Sequence, residues 1–150
     1  MSVKTTDRVA EPRMSRAEVA AFLDRDFPEL QGGGEPSFFV DAVGPMMARM
    51  RLVQRPHHLR PGGTISGPSM FALADVALYA AVLAQIGPVA LAVTTNLNIN
   101  FLRRPAPGNL LGEARLLKLG KRLAVGEVLI TAEDGGELVA HATGTYSIPV

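Results

Sequence analysis

The feature that most constrains this chain is a long segment, residues 67–85, that is apolar on nearly every side. Pro68 near its start and Gly87-Pro88 after its end are typical of the first turn and the stop of a helix. A helix that is apolar all round needs cover on every side, which one flat sheet does not provide. The segment therefore predicts a strongly curved sheet wrapped round a central helix, with further cover from a second subunit.

One charged residue, Asp75, lies within this apolar segment. Every other residue between Arg60 and Arg103 is uncharged. Burial of an unpaired carboxylate costs several kcal/mol or forces it to take up a proton. Asp75 therefore either pairs with a neighbour and holds the helix to the next strand, or acts as a general base or nucleophile. The residues alone leave both interpretations open.

Alternating apolar and polar residues predict strands on both sides of this helix. Residues 38–54 alternate without a break and predict one half-buried strand. Four strands are predicted after the helix, at residues 89–102, 110–119, 123–132 and 138–148. Their short connections and an Asp-Gly turn predict a meander of antiparallel strands.

A capping-box pattern, Ser15 with Glu18, predicts a short amphipathic helix at about residues 16–26. Pro28 and the glycines at 32–34 end that helix. The architecture predicted from the residues is thus α+β: a curved antiparallel sheet round a long central helix, with a short N-terminal helix.

The composition limits the number of domains and the partners, metals and cofactors that are expected. The 150 residues suit one domain, at residues 14–150, after a polar and flexible tail at residues 1–13. A net charge of +1 gives no general attraction to nucleic acid or to an anionic membrane, so neither partner is expected. The chain has no cysteine, and His57, His58 and His141 lack the spacing of a zinc motif, so no metal and no cofactor is predicted.

Location is predicted from the absence of targeting signals. The N-terminus has no apolar core segment, so no signal peptide is expected and the cytoplasm is the simplest compartment. Residues 70–93 approach the length of a membrane span, but Asp75, Gln85 and Gly87-Pro88 interrupt them.

Several groups near Asp75 could support chemistry. The Gly67 amide lies at the start of the helix, where free N–H groups and the helix dipole can form an oxyanion hole. Pro68 has no N–H, which leaves one donor fewer. On the next strand, unbroken alternation predicts Thr94 and Asn96 on one face, as neutral partners. A carboxylate, a hydroxyl and an amide donor round an apolar slot suit attack on an activated acyl group.

Two pairs of basic residues are candidate phosphate contacts. Arg103 and Arg104 follow the first strand after the helix, and Lys121 and Arg122 lie at a turn. The alternative is that all four are solvated loop charges, which is the more common case.

Four segments of the chain carry a family pattern. The first is Arg60-Pro61-Gly62-Gly63-Thr64-Ile65-Ser66-Gly67-Pro68, followed by Phe71-Ala72-Leu73-Ala74-Asp75. The others are the strand and turn at residues 98–108, the turn Gly120-Lys121-Arg122 and the last strand around residues 140–145. Together these segments resemble the hotdog-fold acyl-CoA thioesterases of the phenylacetate-degradation type, and the resemblance covers about residues 38–148.

This resemblance implies a hotdog fold and a homodimer or homotetramer with active sites at the dimer interface. It implies that Asp75 is the nucleophile or general base, that the Gly67 amide polarises the thioester carbonyl, and that Thr94 helps to place the water. The expected contacts to coenzyme A phosphates are Arg103, Arg104, Lys121 and Arg122. Coenzyme A enters as part of the substrate and not as a cofactor. Ser66, Pro68, Phe71 and Asn96 complete the expected substrate site.

Three positions depart from that family pattern. Arg60 stands where the family carries an Asn, and Ser66 and Pro68 replace the His and second Gly of a His-Gly-Gly motif. The prediction is acyl-CoA hydrolysis by Asp75 with Gly67, Thr94 and Arg60 around it. One alternative is a non-catalytic acyl-CoA-binding protein, in which Arg60 neutralises Asp75 by pairing with it. The other is a hotdog dehydratase or hydratase that uses His58.

Overall fold

The computed structural model describes residues 11–150, so residues 1–10 of the predicted tail lie outside the described residues. The α-helices are α1 (Arg16–Asp26) and α2 (Gly67–Ile86). The strands, in chain order, are β1 (Phe38–Gly44), β2 (Met47–Leu52), β3 (Leu59–Arg60), β4 (Thr64–Ile65), β5 (Val93–Phe101), β6 (Leu110–Leu119), β7 (Leu123–Ala132) and β8 (Leu138–Ser147). Short 3-10 turns lie at Pro28–Gln31 and Pro56–His58.

Six strands form one curved antiparallel sheet in the order β1-β2-β6-β7-β8-β5, and α2 packs into its inner face. Every residue from 73 to 84 except Asp75 is buried. Helix α1 packs against β1 and α2 through its buried side chains, Val19, Phe22 and Leu23. The predicted α+β architecture, a hotdog fold with a long central helix and a short N-terminal helix, is confirmed.

Helix α2 has the apolar character of a membrane span but the position of a core helix. The most apolar 18-residue window of α2 has a mean hydropathy of 1.7. By length and composition alone, the helix is long and apolar enough to cross a membrane. Because 67% of that window is buried inside the domain, the sheet accounts for its apolar surface. Ser66 caps its N-terminus by accepting a hydrogen bond from the Ser69 N–H.

The prediction of a single strand over residues 38–54 is wrong. This segment folds into the antiparallel pair β1 and β2, joined by a turn in which Met46 has a φ of 56°. The alternation of apolar and polar residues continues through the turn, so Gly44-Pro45 was the local signal of a break. Along β2, the buried residues are Ala48, Met50 and Leu52.

The predicted meander is right for β6, β7 and β8 and wrong for β5. Strand β5 pairs with β8, at the far side of the sheet, while β6 pairs with β2. The connection over residues 102–109 contains Pro105 and Pro107 and is too long for a tight hairpin, so it crosses the end of the sheet instead. As a result, β5 is an edge strand.

Candidate active site

The carboxylate of Asp75 is held by two hydroxyl groups. Thr94 Oγ1 and the Tyr146 hydroxyl each donate to Asp75 Oδ1, at 2.6 Å. The phenol oxygen also lies 3.0 Å from the Asp75 carbonyl oxygen, but its single proton can go only to one acceptor, and Oδ1 is nearer. Among the described residues, no group hydrogen-bonds to Oδ2. Asp75 is therefore fixed through one oxygen and has the other available.

A cavity of about 410 Å³ lies beside this carboxylate. Its lining comes from the end of α1 and the turn after it, from one side of α2, and from the chain leading into β5. The lining residues are Asp26, Phe27, Leu30, Ala72, Asp75, Val76, Tyr79, Ala90, Ala92, Val93, Thr94 and Tyr146. The cavity is thus a partly apolar slot with two carboxylates in its wall, of which Asp75 is held by hydroxyl groups.

Tyr146 was missed in the sequence-based prediction. Alternation along β8 places it on the inner face of the sheet with Ala140, Ala142 and Gly144, all buried. A phenol on the inner face of a strand that packs against α2 was the available signal, because a buried hydroxyl needs a partner. Burial, followed by the nearby charge of Asp75, raises the pKa of Tyr146 far above its usual value, so the phenol remains a donor near neutral pH.

The prediction that Thr94 and Asn96 share one face is wrong. The pairing of β5 with β8 shifts between these two residues, which leaves Thr95 as an inserted residue. Thr94 therefore reaches Asp75, whereas Asn96 is exposed and does not line the cavity beside Asp75. Asn96 is also absent from the lining of a second cavity, which lies beside Gly67. Further along β5, the inward residue is Leu97, which packs at Gly144 beside Leu78.

A second cavity, of about 490 Å³, lies at the N-terminus of α2. It is lined by Gly67, by the hairpin β3-β4, and by the end of β5 with the chain after it, which include Phe101, Arg103 and Arg104. The Gly67 N–H has no hydrogen-bond partner among the described residues. The Phe101 ring lies 3.3 Å from the point where a Cβ on residue 67 would sit, so the wall is closely packed there.

The basic residues lie at opposite ends of β5. Arg60, Arg103 and Arg104 line the second cavity, and Arg103 forms an ion pair with Glu137. Lys121 and Arg122 are exposed at the β6–β7 turn, where the Arg122 carbonyl oxygen accepts from the Ile148 N–H. This turn is near the start of β5, since Leu123 and Val93 both pair with Ser147.

The remaining predicted residues lie around the start of α2. Ser66 lines neither cavity, and its hydroxyl caps α2 and lies 2.9 Å from the Ser69 hydroxyl. Pro68 and Phe71 also lie outside both cavities, and Phe71 is 40% exposed. Neither Arg60 nor Asp75 forms an ion pair within residues 11–150, so the suggested neutralisation of Asp75 by Arg60 is absent from a single chain.

His58 has a structural environment. It is 4% exposed, and its Nδ1 accepts a hydrogen bond of 2.8 Å from the Arg55 N–H. Burial and the neighbouring His57 and Arg55 lower the pKa of His58, which favours the neutral ring. It lines neither cavity, and no observation favours a dehydratase.

The chain is similar to known proteins both in sequence and in structure. Residues 62–139 match the family described as the thioesterase superfamily. A "putative thioesterase" of Silicibacter sp. TM1040 superposes with a TM-score of 0.84 and 50% identity, covering 95% of this chain and 97% of that one. A mutant phenylacetic acid degradation protein of Thermus thermophilus has a TM-score of 0.66 and 28% identity, covering 75% and 94%. A "putative esterase" of Pseudomonas aeruginosa is 31% identical over 110 residues, 73% of this chain and 79% of that protein.

The curved sheet wrapped round a long central helix defines a hotdog protein. The chain belongs to the thioesterase superfamily. The resemblance seen in the sequence is therefore confirmed, including the likeness to phenylacetate-degradation proteins. The names of the relatives support ester or thioester hydrolysis as the class of activity.

Proposed function

We propose that this protein is an acyl-CoA thioesterase, which converts an acyl-CoA and water to a free acid and coenzyme A. The observation that carries the proposal is the Asp75 carboxylate, fixed through Oδ1 at the wall of an apolar cavity with Oδ2 unoccupied. Such a carboxylate can accept a proton from water or attack a carbonyl carbon.

The proposed reaction needs an oxyanion donor that a single chain does not bring to Asp75. Gly67 is eight residues before Asp75 on α2, which is about 12 Å along the helix axis, and it lines the other cavity. One thioester carbonyl cannot contact both groups at that separation. We therefore propose that the catalytic site forms between two copies of the chain.

The edge strand β5 is the surface on which a second copy would pair. Its side chains Val93 and Phe101 are each 52% exposed, and its outer edge pairs with no described strand. Two copies related by a two-fold axis would pair β5 antiparallel with β5. The end of one β5 would then lie beside the start of the other, bringing the partner subunit's Gly67 close to Asp75. A homodimer, or a homotetramer built from it, would thus contain two composite sites.

In this site, water forms a bond to the thioester carbonyl carbon while Asp75 Oδ2 takes a proton from it. The carbonyl oxygen becomes an oxyanion that accepts a hydrogen bond from the partner subunit's Gly67 N–H. The tetrahedral intermediate then collapses, the C–S bond breaks, and the leaving thiolate takes the proton from Asp75. In the nucleophilic route, Oδ2 itself bonds to the carbonyl carbon, the C–S bond breaks, and coenzyme A leaves as the thiolate. Water then hydrolyses the mixed anhydride, which regenerates the Asp75 carboxylate and supplies the proton that the thiolate takes.

The same pairing would supply a place for the phosphates of coenzyme A. It would bring the partner subunit's Arg103 and the partner subunit's Arg104 towards Lys121 and Arg122, which one chain keeps at opposite ends of β5. Guanidinium and ammonium groups gathered there would bind phosphate through charge-assisted hydrogen bonds. The acyl group would occupy the apolar cavity, whose walls at Phe27, Leu30 and Tyr79 suit an aromatic or a medium-length aliphatic chain.

Release of free thiol from a panel of short, long, branched and aromatic acyl-CoAs tests the proposal, with wild type and Asp75→Asn measured side by side. Hydrolysis by the wild type that Asp75→Asn loses by about 100-fold or more would support it. Binding of acyl-CoA without release of thiol would replace it with a non-catalytic binding protein. Equal hydrolysis by both proteins would remove Asp75 from the mechanism.

A further inference from the structure

We propose that Tyr146 is a positioning residue for catalysis: its hydroxyl, together with Thr94, holds the Asp75 carboxylate through Oδ1 and turns it so that Oδ2 serves the reaction. This inference rests on the proposed function and names a residue beyond the segment that matches the superfamily, which ends at residue 139.

The geometry fixes the phenol tightly. Tyr146 is 4% exposed, and its ring stacks on Tyr79 with a centroid distance of 5.9 Å and an interplanar angle of 19°. The Tyr79 hydroxyl donates to the Ala90 carbonyl oxygen at 3.1 Å, and Phe27 packs edge-on against the Tyr79 ring. Since neither ring is free to turn, the Tyr146 hydroxyl is held at 2.6 Å from Asp75 Oδ1.

Hydroxyl groups are the only hydrogen-bond partners of the Asp75 carboxylate among residues 11–150. The titratable groups that face its cavity are Asp26 from the end of α1, Tyr79 from α2 and Tyr146 from β8. No lysine or arginine is among the described residues that line it. Because Thr94 and Tyr146 both donate to Oδ1, they set the orientation of the carboxylate and leave Oδ2 without a partner among those residues.

Replacing Tyr146 with Phe tests this role, because it removes the hydroxyl and keeps the stacked ring. Loss of a hydrogen bond to a charged group predicts a fall in kcat of about 10- to 100-fold with KM nearly unchanged. A change confined to kcat is the signature of a misplaced reacting group, since a loosened cavity wall would raise KM as well. Thr143→Val, which removes a hydroxyl from the exposed face of the same strand, is the matched control and should behave as wild type.

A second readout does not depend on activity. The free energies of unfolding of wild type, Tyr146→Phe, Asp75→Ala and the double variant form a double-mutant cycle, measured in urea with circular dichroism as the probe. Because the phenol donates to the Asp75 carboxylate, the double variant should lose less stability than the two single variants added together.

The two readouts separate the failure of this inference from the failure of the proposed function. Energetic coupling of the two residues in a wild type that hydrolyses no acyl-CoA would reject thioester hydrolysis and keep the contact of Tyr146 with Asp75. An active wild type, with kcat unchanged in Tyr146→Phe, would overturn the positioning role. So would a fall in kcat with additive losses of stability, because that pattern reports a merely structural tyrosine.

Discussion

Gly126 and Gly144 lie directly opposite each other on β7 and β8, and the side chain of Leu78 fills the space that two Cβ atoms would take. A Cβ on either glycine would be 2.7 Å from a methyl carbon of Leu78. The paired glycines therefore let α2 approach the sheet closely, and this approach brings Asp75 within hydrogen-bond distance of β5 and β8.

Gly126→Ala should destabilise the protein by about 1–3 kcal/mol, because its Cβ would also lie 2.9 Å from the Arg115 carbonyl oxygen, which cannot move aside freely. Urea unfolding monitored by circular dichroism measures the change. Gly120→Ala is the matched control, since its nearest contact would be an ordinary 3.4 Å. Equal free energies of unfolding for the two variants would contradict the close packing described here.

A site shared between subunits makes a prediction about mixed dimers. Asp75→Asn and Gly67→Pro should each be nearly inactive alone, the second because proline has no N–H. In a mixed dimer of one Asp75→Asn chain and one Gly67→Pro chain, one site carries both substitutions and the other site carries neither. Unfolding and refolding an equal mixture should therefore restore about a quarter of wild-type activity, since half of the dimers are mixed and each has one intact site.

Gly67→Ala is the control for that experiment, because it adds the same Cβ against Phe101 and keeps the N–H. It should retain more activity than Gly67→Pro. If the refolded mixture stays as inactive as its parents while wild type refolds to full activity, both groups act within one chain and the composite site is wrong.

Asp41 should make stability depend on pH in acid. The hydrogen bond from Arg51, at 2.6 Å, and that from Arg49, at 2.7 Å, hold the pKa of Asp41 below its ordinary value of 3.8. A carboxyl with a lowered pKa in the folded state stabilises the protein above the unfolded value, and this contribution is lost as the pH falls through the folded value.

Asp41→Asn should therefore lower the free energy of unfolding at pH 7 by on the order of 1 kcal/mol, and the gap from wild type should close as the pH falls below 3.8 and through the lowered folded-state pKa. Urea unfolding between pH 7 and pH 2 provides the comparison. Asp24→Asn, an exposed change on α1, should match wild type throughout. A gap at pH 7 that persists undiminished at pH 2 would show that the carboxylate charge is not responsible.

Replacing Lys121 and Arg122 with alanine should raise KM for an acyl-CoA several-fold, leave kcat nearly unchanged and weaken the dependence of KM on salt, because phosphate contacts are screened by ions. Initial rates over a range of sodium chloride concentrations measure both effects. Arg115→Ala removes a basic residue that pairs with Glu113 on β6 and should have little effect. Unchanged KM in the double variant would place the phosphates elsewhere.

Local patterns were sufficient for both α-helices and for the four strands after α2, β5 to β8. The apolar character of α2 on all sides required a curved cover, and the capping box at Ser15 defined the start of α1. The order of the strands was not predictable in this way, because the position of β5 beside β8 depends on where the chain crosses after Pro105 and Pro107. The turn at Pro45 was hidden because apolar alternation ran through it.

For the candidate site too, some residues could be selected from local sequence and others could not. Asp75 could be selected from the sequence because it is a single charge in an apolar helix, and Thr94 because it lies on the next strand. Tyr146 is 71 residues from Asp75, and their contact depends on the register between β8 and α2, which no local pattern contains. The inserted residue Thr95, which places Thr94 and Asn96 on different faces, was not predictable from local sequence either, since a bulge depends on the pairing between strands.

Part of the wall beside Asp75 comes from Asp26, Phe27 and Leu30, which precede the segment shared with the superfamily by more than thirty residues. Of the three, Phe27 packs edge-on against Tyr79, whose ring stacks on Tyr146, whereas Asp26 and Leu30 form no hydrogen bond with the two hydroxyls that hold the acid. Under the proposed function, substitutions of Leu30 would therefore change which acyl groups fit and leave the hydrogen bonds to Asp75 in place. Part of the choice of substrate would then be encoded ahead of the superfamily segment, where it can evolve, or be redesigned, separately from the acid.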